Sequence, residues 1–120
     1  MKVQIRHTAA YVAHRLISDA SGSCIYDYAE GRYIKFGGSV SAHEVMIFDQ
    51  DRSCYISGKA ASGKFSLFDF GASSLLTLEI AGNLFKGFDY GTLKHFSGLV
   101  EGRLIRLFDH DDNRFHTYGF

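Results

Sequence analysis

Gly58-Lys-Ala-Ala-Ser-Gly63-Lys64 reproduces most of the phosphate-loop pattern G-x-x-x-x-G-K-[ST], whose backbone amides cradle phosphate and whose hydroxyl holds magnesium. Phe65 stands where that hydroxyl belongs, and Phe65–Asp69 reads as a strand rather than the helix the motif needs. A hairpin link is the better reading. Asp109-His-Asp111-Asp112-Asn113 opens like a calcium loop, but Arg114 replaces the glycine at the sixth position and Phe120 the glutamate at the twelfth. His7 and His14 are seven residues apart, which on a helix separates them by about 10 Å, too far to share one ion. His110 and His116 flank the last loop with Asp111 near them, and no third ligand follows from spacing. Cys24 and Cys54 have no histidine at the adjacent repeat positions, and no nucleophile–base pair emerges. These residues nominate no general acid or base, no metal site and no cofactor. A metal-assisted enzyme is the weakest of the functional readings.

The elements that would position any site are set by a repeat. Five of the nine aspartates follow an aromatic residue: Tyr26-Asp27, Phe48-Asp49, Phe68-Asp69, Phe88-Asp89 and Phe108-Asp109, at spacings of 22, 20, 20 and 20. Each unit runs as an apolar stretch, aromatic-Asp, four loop residues, then a second apolar–polar alternation. That is a β-hairpin with a four-residue loop, in which Asp opens the turn by accepting from the amides ahead of it. Short links at Ser62-Gly63, Ala81-Gly82 and Glu101-Gly102 join the units, and a longer irregular link is expected at Gly37–Glu44.

A four-residue loop places each Asp opposite the residue five later, which suggests surface ion pairs Asp27–Arg32, Asp89–Lys94 and Asp109–Arg114. The same register puts Ile25, Val45, Ile47, Phe65, Leu67, Phe85, Ile105 and Leu107 on one face with Ile34, Phe36, Ile56, Leu76, Leu78, Ile80, Phe96 and Val100. That face is the predicted core. The other face carries Lys35, Ser57, Ser66, Thr77, Lys86, Ser97, Arg106 and Thr117, and is solvated except for an aromatic band near the loops. The band consists of Tyr26, Phe48, Phe68, Phe88 and Phe108, facing Tyr33, Tyr55, Leu75, His95 and Phe115. Exposed, it is a contact surface for protein, glycan or a second copy; the alternative is intramolecular cover by the N-terminal segment or the long link.

Residues 1–22 do not repeat. Ile5, Ala9, Val12 and Leu16 recur at helical spacing and predict a helix near Thr8–Ser18, after a short extended piece at Lys2–Ile5. The whole is one mainly β domain: about ten antiparallel strands in a meander over residues 23–120, closed like a barrel or folded into two layers, with the helix on an end or an open face. A solenoid of twenty-residue coils is the rival. The period resembles that of the choline-binding repeats of bacterial surface proteins, whose cation boxes use tryptophan; this chain has none, so the resemblance implies no ligand.

Thirteen basic and thirteen acidic side chains cancel, so nothing points to nucleic acid. There is no apolar run of the roughly 18 residues a membrane helix requires, and no signal-peptide pattern, so a cytoplasmic location is expected. Two cysteines make no disulfide framework and are expected as free thiols. The leading functional expectation is a non-catalytic binding or assembly module using the aromatic band. The alternative is a carrier of a small hydrophobic ligand or glycan within a barrel.

Overall fold

The computed structural model describes all 120 residues, Met1–Phe120. A helix, α1 (Val3–Ser18), precedes β1 (Cys24–Asp27), β2 (Arg32–Val40), β3 (Glu44–Asp49), β4 (Cys54–Ala61) and β5 (Lys64–Asp69). β6 (Ser74–Ala81), β7 (Leu84–Asp89), β8 (Lys94–Glu101), β9 (Leu104–Asp109) and β10 (Arg114–Gly119) follow. Every strand pairs antiparallel with its sequence neighbours, and β10 pairs with β1, so the sheet closes into a barrel. No helix is long and apolar enough to cross a membrane.

The four-residue register holds in all five hairpins: Asp27 faces Arg32, Asp49 faces Cys54, Asp69 faces Ser74, Asp89 faces Lys94 and Asp109 faces Arg114. The fourth loop residue is left-handed each time, at Gly31, Ser53, Ser73, Leu93 and Asn113, as a type I turn closing a hairpin requires. The predicted core face is buried throughout, with Ile80 alone only half-buried. The first link is shorter than expected. β2 continues through Gly37–Val40, which pair with Phe48–Val45, so only Ser41–His43 form the loop.

The helix departs most from expectation. It begins at Val3, so of the expected extended piece Lys2–Ile5 only Lys2 is extended, and it lies inside the barrel rather than on an end or an open face. Eight consecutive residues, His7–His14, are buried on every side, and the helix contacts β1, β2, β6, β8 and β9 around the wall. Physically, a ten-stranded barrel is too wide for its own side chains to fill, since about eight strands already reach that limit. Ala9, Ala10 and Ala13 keep the helix slim enough to enter. Tyr11 stacks on Phe36 with ring centroids 4.4 Å apart.

Closing the sheet around the helix bends the strands at a repeated corner. Across four junctions between units the inward pairs are Gly38–Ile47, Gly58–Leu67, Leu78–Gly87 and Gly98–Leu107, so one partner is always glycine. A Cβ on these glycines would lie 1.8–2.2 Å from a carbonyl oxygen of the neighbouring strand. No side chain fits that approach. Where Leu78 takes the usual glycine position, Gly87 opposite it supplies the room.

Gly58→Ala is therefore expected to lower unfolding stability by about 3 kcal/mol or more. Gly22→Ala, where a Cβ meets nothing within 4 Å, is expected to change it by no more than about 0.5 kcal/mol. Urea unfolding of the two variants checks both; equal effects would contradict the corner geometry.

Candidate functional site

The residues flanking each repeat aspartate inherit their direction from it. Asp27, Asp49, Asp69, Asp89 and Asp109 end the odd-numbered strands, so they share one barrel mouth, and all five are buried. In each, Oδ1 accepts the amide two residues on: Ala29, Asp51, Gly71, Gly91 and Asp111. This is the turn role the sequence suggested. Because the aspartates point in, the aromatic residue before each one must point out.

The predicted surface ion pairs do not form. Arg32 bonds Asp51 and Glu30 outside the barrel, while Lys94 and Arg114 make no ion pair. At the rim a long cationic chain reaches water more cheaply than the interior. The carboxylates take partners that the spacing argument missed. The Met1 amino group donates to Asp109 Oδ2 at 3.0 Å and to Asp111 Oδ2 at 3.1 Å. His7 Nε2 meets Asp27 Oδ2 at 2.7 Å. Arg52 donates through Nε to Asp49 at 2.7 Å and through its two terminal nitrogens to Asp69 at 3.0 and 2.8 Å. Asp89 is held by the Gly91 amide and the Thr92 hydroxyl. Burial on its own would raise the Asp27 pKa, but the His7 hydrogen bond and the Glu30 and Ala29 amides outweigh it and hold the carboxyl below its ordinary value.

Two sets of metal-competent side chains converge at this mouth: His7 with Asp27 and Glu30, and Asp109 with Asp112 and His116, each set within 4.8 Å. His116 Nε2 reaches Asp112 at 2.8 Å, not the Asp111 suggested by sequence. Both sets are already joined by hydrogen bonds and ion pairs, which accounts for them without an ion. Gly58–Lys64 is strand, two-residue turn and strand, so the phosphate-loop match is a hairpin link. Cys24 and Cys54 are free thiols, half-buried, and burial raises the pKa of Cys54.

The aromatic band encircles the outer wall above the carboxylates. With the helix inside, the band is not covered by it, and the Ser41–His43 loop belongs to the opposite end. Tyr33 is 62 % exposed and Tyr55 and Phe115 are 55 % exposed; Phe68 and His95 are exposed as well. Tyr26, Phe48, Phe88 and Phe108 are half-buried. They are braced edge-to-face by neighbours at 4.8–5.1 Å: Tyr26 by Tyr28 and Tyr33, Phe48 by Tyr55, Phe88 by Tyr90 and His95, and Phe108 by His110 and Phe115. Tyr28, Phe70, Tyr90 and His110 extend the band; they follow four of the five aspartates, with Gln50 after the fifth, and parity turns them outward too. The sequence holds that signal, an aromatic ring on both sides of the Asp in four of the five units.

Comparison with known proteins finds no matching family model, curated relative or solved structure. The geometry alone carries the functional reading.

Two outcomes test the interior that supports the band. Arg52→Met strips Asp49 and Asp69 of their shared cation and is expected to cost about 3 kcal/mol of stability, with partial recovery in Arg52→Lys. The second concerns His14, buried near the other end of the helix. Burial, reinforced by the charges of Arg15 and Arg103, lowers its pKa from 6.5 to about 4. It stays neutral in the folded barrel but protonates near pH 6.5 when unfolded. Its share of stability is complete above about 6.5, declines by about 3 kcal/mol as pH falls to about 4, and levels off below. The difference in unfolding free energy between the wild type and His14→Leu, followed across that window, should slope accordingly; a flat difference would contradict it.

Proposed function

We propose that the protein is a non-catalytic binding or assembly module that meets its partner, a protein or glycan, through the outer aromatic band. One observation supports this above the others. The rings of Tyr33, Tyr55, Phe70, Tyr90 and Phe115 stand at about half exposure or more around one latitude of the barrel. Large aromatic surface left in water at repeated positions is costly unless something covers it. The rings are also stiff, because each is wedged against a neighbour, so little side-chain freedom is lost on contact.

The outer wall beyond the band is mixed: Lys35, Lys59, Ser66, Lys86 and Arg106 are exposed on it, and so are Met46, Leu84 and Leu104. The aromatic rings are nevertheless concentrated in the band, which makes it the centre of a contact. The interior that a hydrophobic-ligand carrier would use is occupied by α1, which favours the outer wall over the carrier reading. The absence of a reactive pair at the carboxylate mouth, where every acid serves a turn or an ion pair, favours binding over catalysis.

The double variant Tyr55→Ser/Phe70→Ser tests the reading. Each ring lost should cost at most about 1 kcal/mol of stability. Native mass across a dilution series reports self-association, and an oligosaccharide panel read by calorimetry reports glycan binding. Complexes formed by the wild type should weaken at least tenfold in the variant at little-changed melting temperature. Binding that survives the double variant, or a wild type that is monomeric and binds no member of the panel, would count against the band.

A further inference from the structure

One backbone hydrogen bond recurs where each unit of the barrel meets the next, donated by the amide of the residue after the repeat aspartate. It runs from Gln50 to Lys35, from Phe70 to Tyr55, from Tyr90 to Leu75, from His110 to His95 and, across the β1–β10 seam, from Tyr28 to Thr117. The two residues of each pair are outward neighbours, so the outer wall samples one position five times. Only Phe70–Tyr55 sets two carbon rings side by side. Lysine, leucine, histidine or threonine stands in every other pair. Beside Phe70 and Tyr55 the wall hollows into a groove of about 590 Å³, lined by Met46, Ser53, Cys54, Tyr55, Ser57 and Phe70.

The lining is specific in its chemistry. Tyr55 is 55 % and Phe70 59 % exposed. Both rings are braced edge-to-face from outside the groove, Tyr55 by Phe48 at 4.9 Å and Phe70 by Phe68 at 4.8 Å. The hydroxyls of Ser53, Ser57 and Tyr55 line the same groove, and each can donate once and accept as well. No charged side chain lines it. The rest of the outer wall differs: the groove over β6–β10 is lined by Glu79, Lys86 and His110, and Arg106 lies over the ring of Phe115 at 4.7 Å.

An uncharged molecule with an apolar face and a rim of hydroxyls matches rings, free hydroxyls and a charge-free floor together. A pyranose has that form: its axial C–H groups lie on an aromatic face while its hydroxyls exchange hydrogen bonds at the edge. An extended peptide would need a sheet edge for its amides, and β4 is paired on both sides, to β3 and to β5. We propose that the Tyr55–Phe70 groove binds a neutral saccharide, one sugar ring lying on the aromatic pair and its hydroxyls meeting Ser53, Ser57 and Tyr55. This rests on the reading of the band as a contact surface, and it fixes the partner at this place as a glycan.

Met46 supplies the probe. The chain has two methionines, and the other, Met1, is buried against Asp109. The full chain, labelled at its methionine methyl groups, is titrated with the methyl glycosides of glucose, galactose, mannose and N-acetylglucosamine and with cellobiose. The result expected is a saturable shift of the Met46 methyl resonance with at least one of them, Met1 staying unmoved. Two variants borrow residues that the repeat already accepts: Tyr55→Leu takes the residue found at Leu75, and Ser57→Lys that found at Lys35. Each should weaken binding about tenfold or more at little-changed melting temperature. No saturable Met46 shift with any of these sugars at tens of millimolar, or affinity unchanged in both variants, would overturn the proposal. Native mass on dilution needs no sugar and separates the two readings. A wild-type self-complex that Tyr55→Ser/Phe70→Ser dissolves, with Met46 silent to every sugar, keeps the band as a protein surface and overturns the saccharide.

Discussion

A barrel of ten strands encloses more space than its inward side chains can occupy, and the helix that fills this space brings a polarity with it. The N-terminal end of a helix carries partial positive charge and unpaired amides. Here that end also carries the Met1 amino group, Arg6 and His7, and the first turn of α1 has no acidic residue of its own. The barrel supplies the missing negative charge from its own wall. Asp27 and Asp109 meet the helix end directly, while Asp49 and Asp69 are satisfied by Arg52 from the loop between them. One residue type thus closes each hairpin, caps each loop and balances the charge of the buried helix.

The outer surface follows from the same choice. Strand parity ties every outward ring to an inward carboxylate. Tyr26, Phe48, Phe68, Phe88 and Phe108 cannot turn in without turning the aspartates out, and the residue after each Asp is bound by the same rule. The band and the acidic mouth are two sides of one sequence element.

Much of the wall was legible in the sequence. The Asp spacing set loop length, loop length set register, and register sorted Leu67 and Ile105 inward, where both are fully buried. The helix was legible as a helix and illegible in its place. Ile5, Ala9, Val12 and Leu16 read as one apolar stripe, yet the residues between them are buried too. The signal was the run His7–His14, which contains no Lys, Arg, Asp or Glu. Histidine, threonine and tyrosine within it look like a polar face, yet His7 is paired by Asp27 of the wall, and Thr8 and Tyr11 bond to Gln4, Arg15 and Gly22 of the helix and the link behind it. The same long-range pairing hid His7 from Asp27 and Met1 from Asp109, since no local spacing relates them. The seam was illegible for a different reason: it depends on how the last unit meets the first, which no internal repeat specifies.

A helix held on all sides by a closed sheet has a consequence for how the molecule is made. The meander can grow hairpin by hairpin, each from neighbours in sequence, but the rod has to be aboard before the ring shuts. The one union between distant parts of the chain, β1 with β10, is also the shortest ladder. That brief zipper is well placed to form last, after the plug is seated, because joining the chain's ends first would carry the full loop-closure cost and trap a hollow shell. The weakest stretch of wall is thus the gate through which assembly is completed.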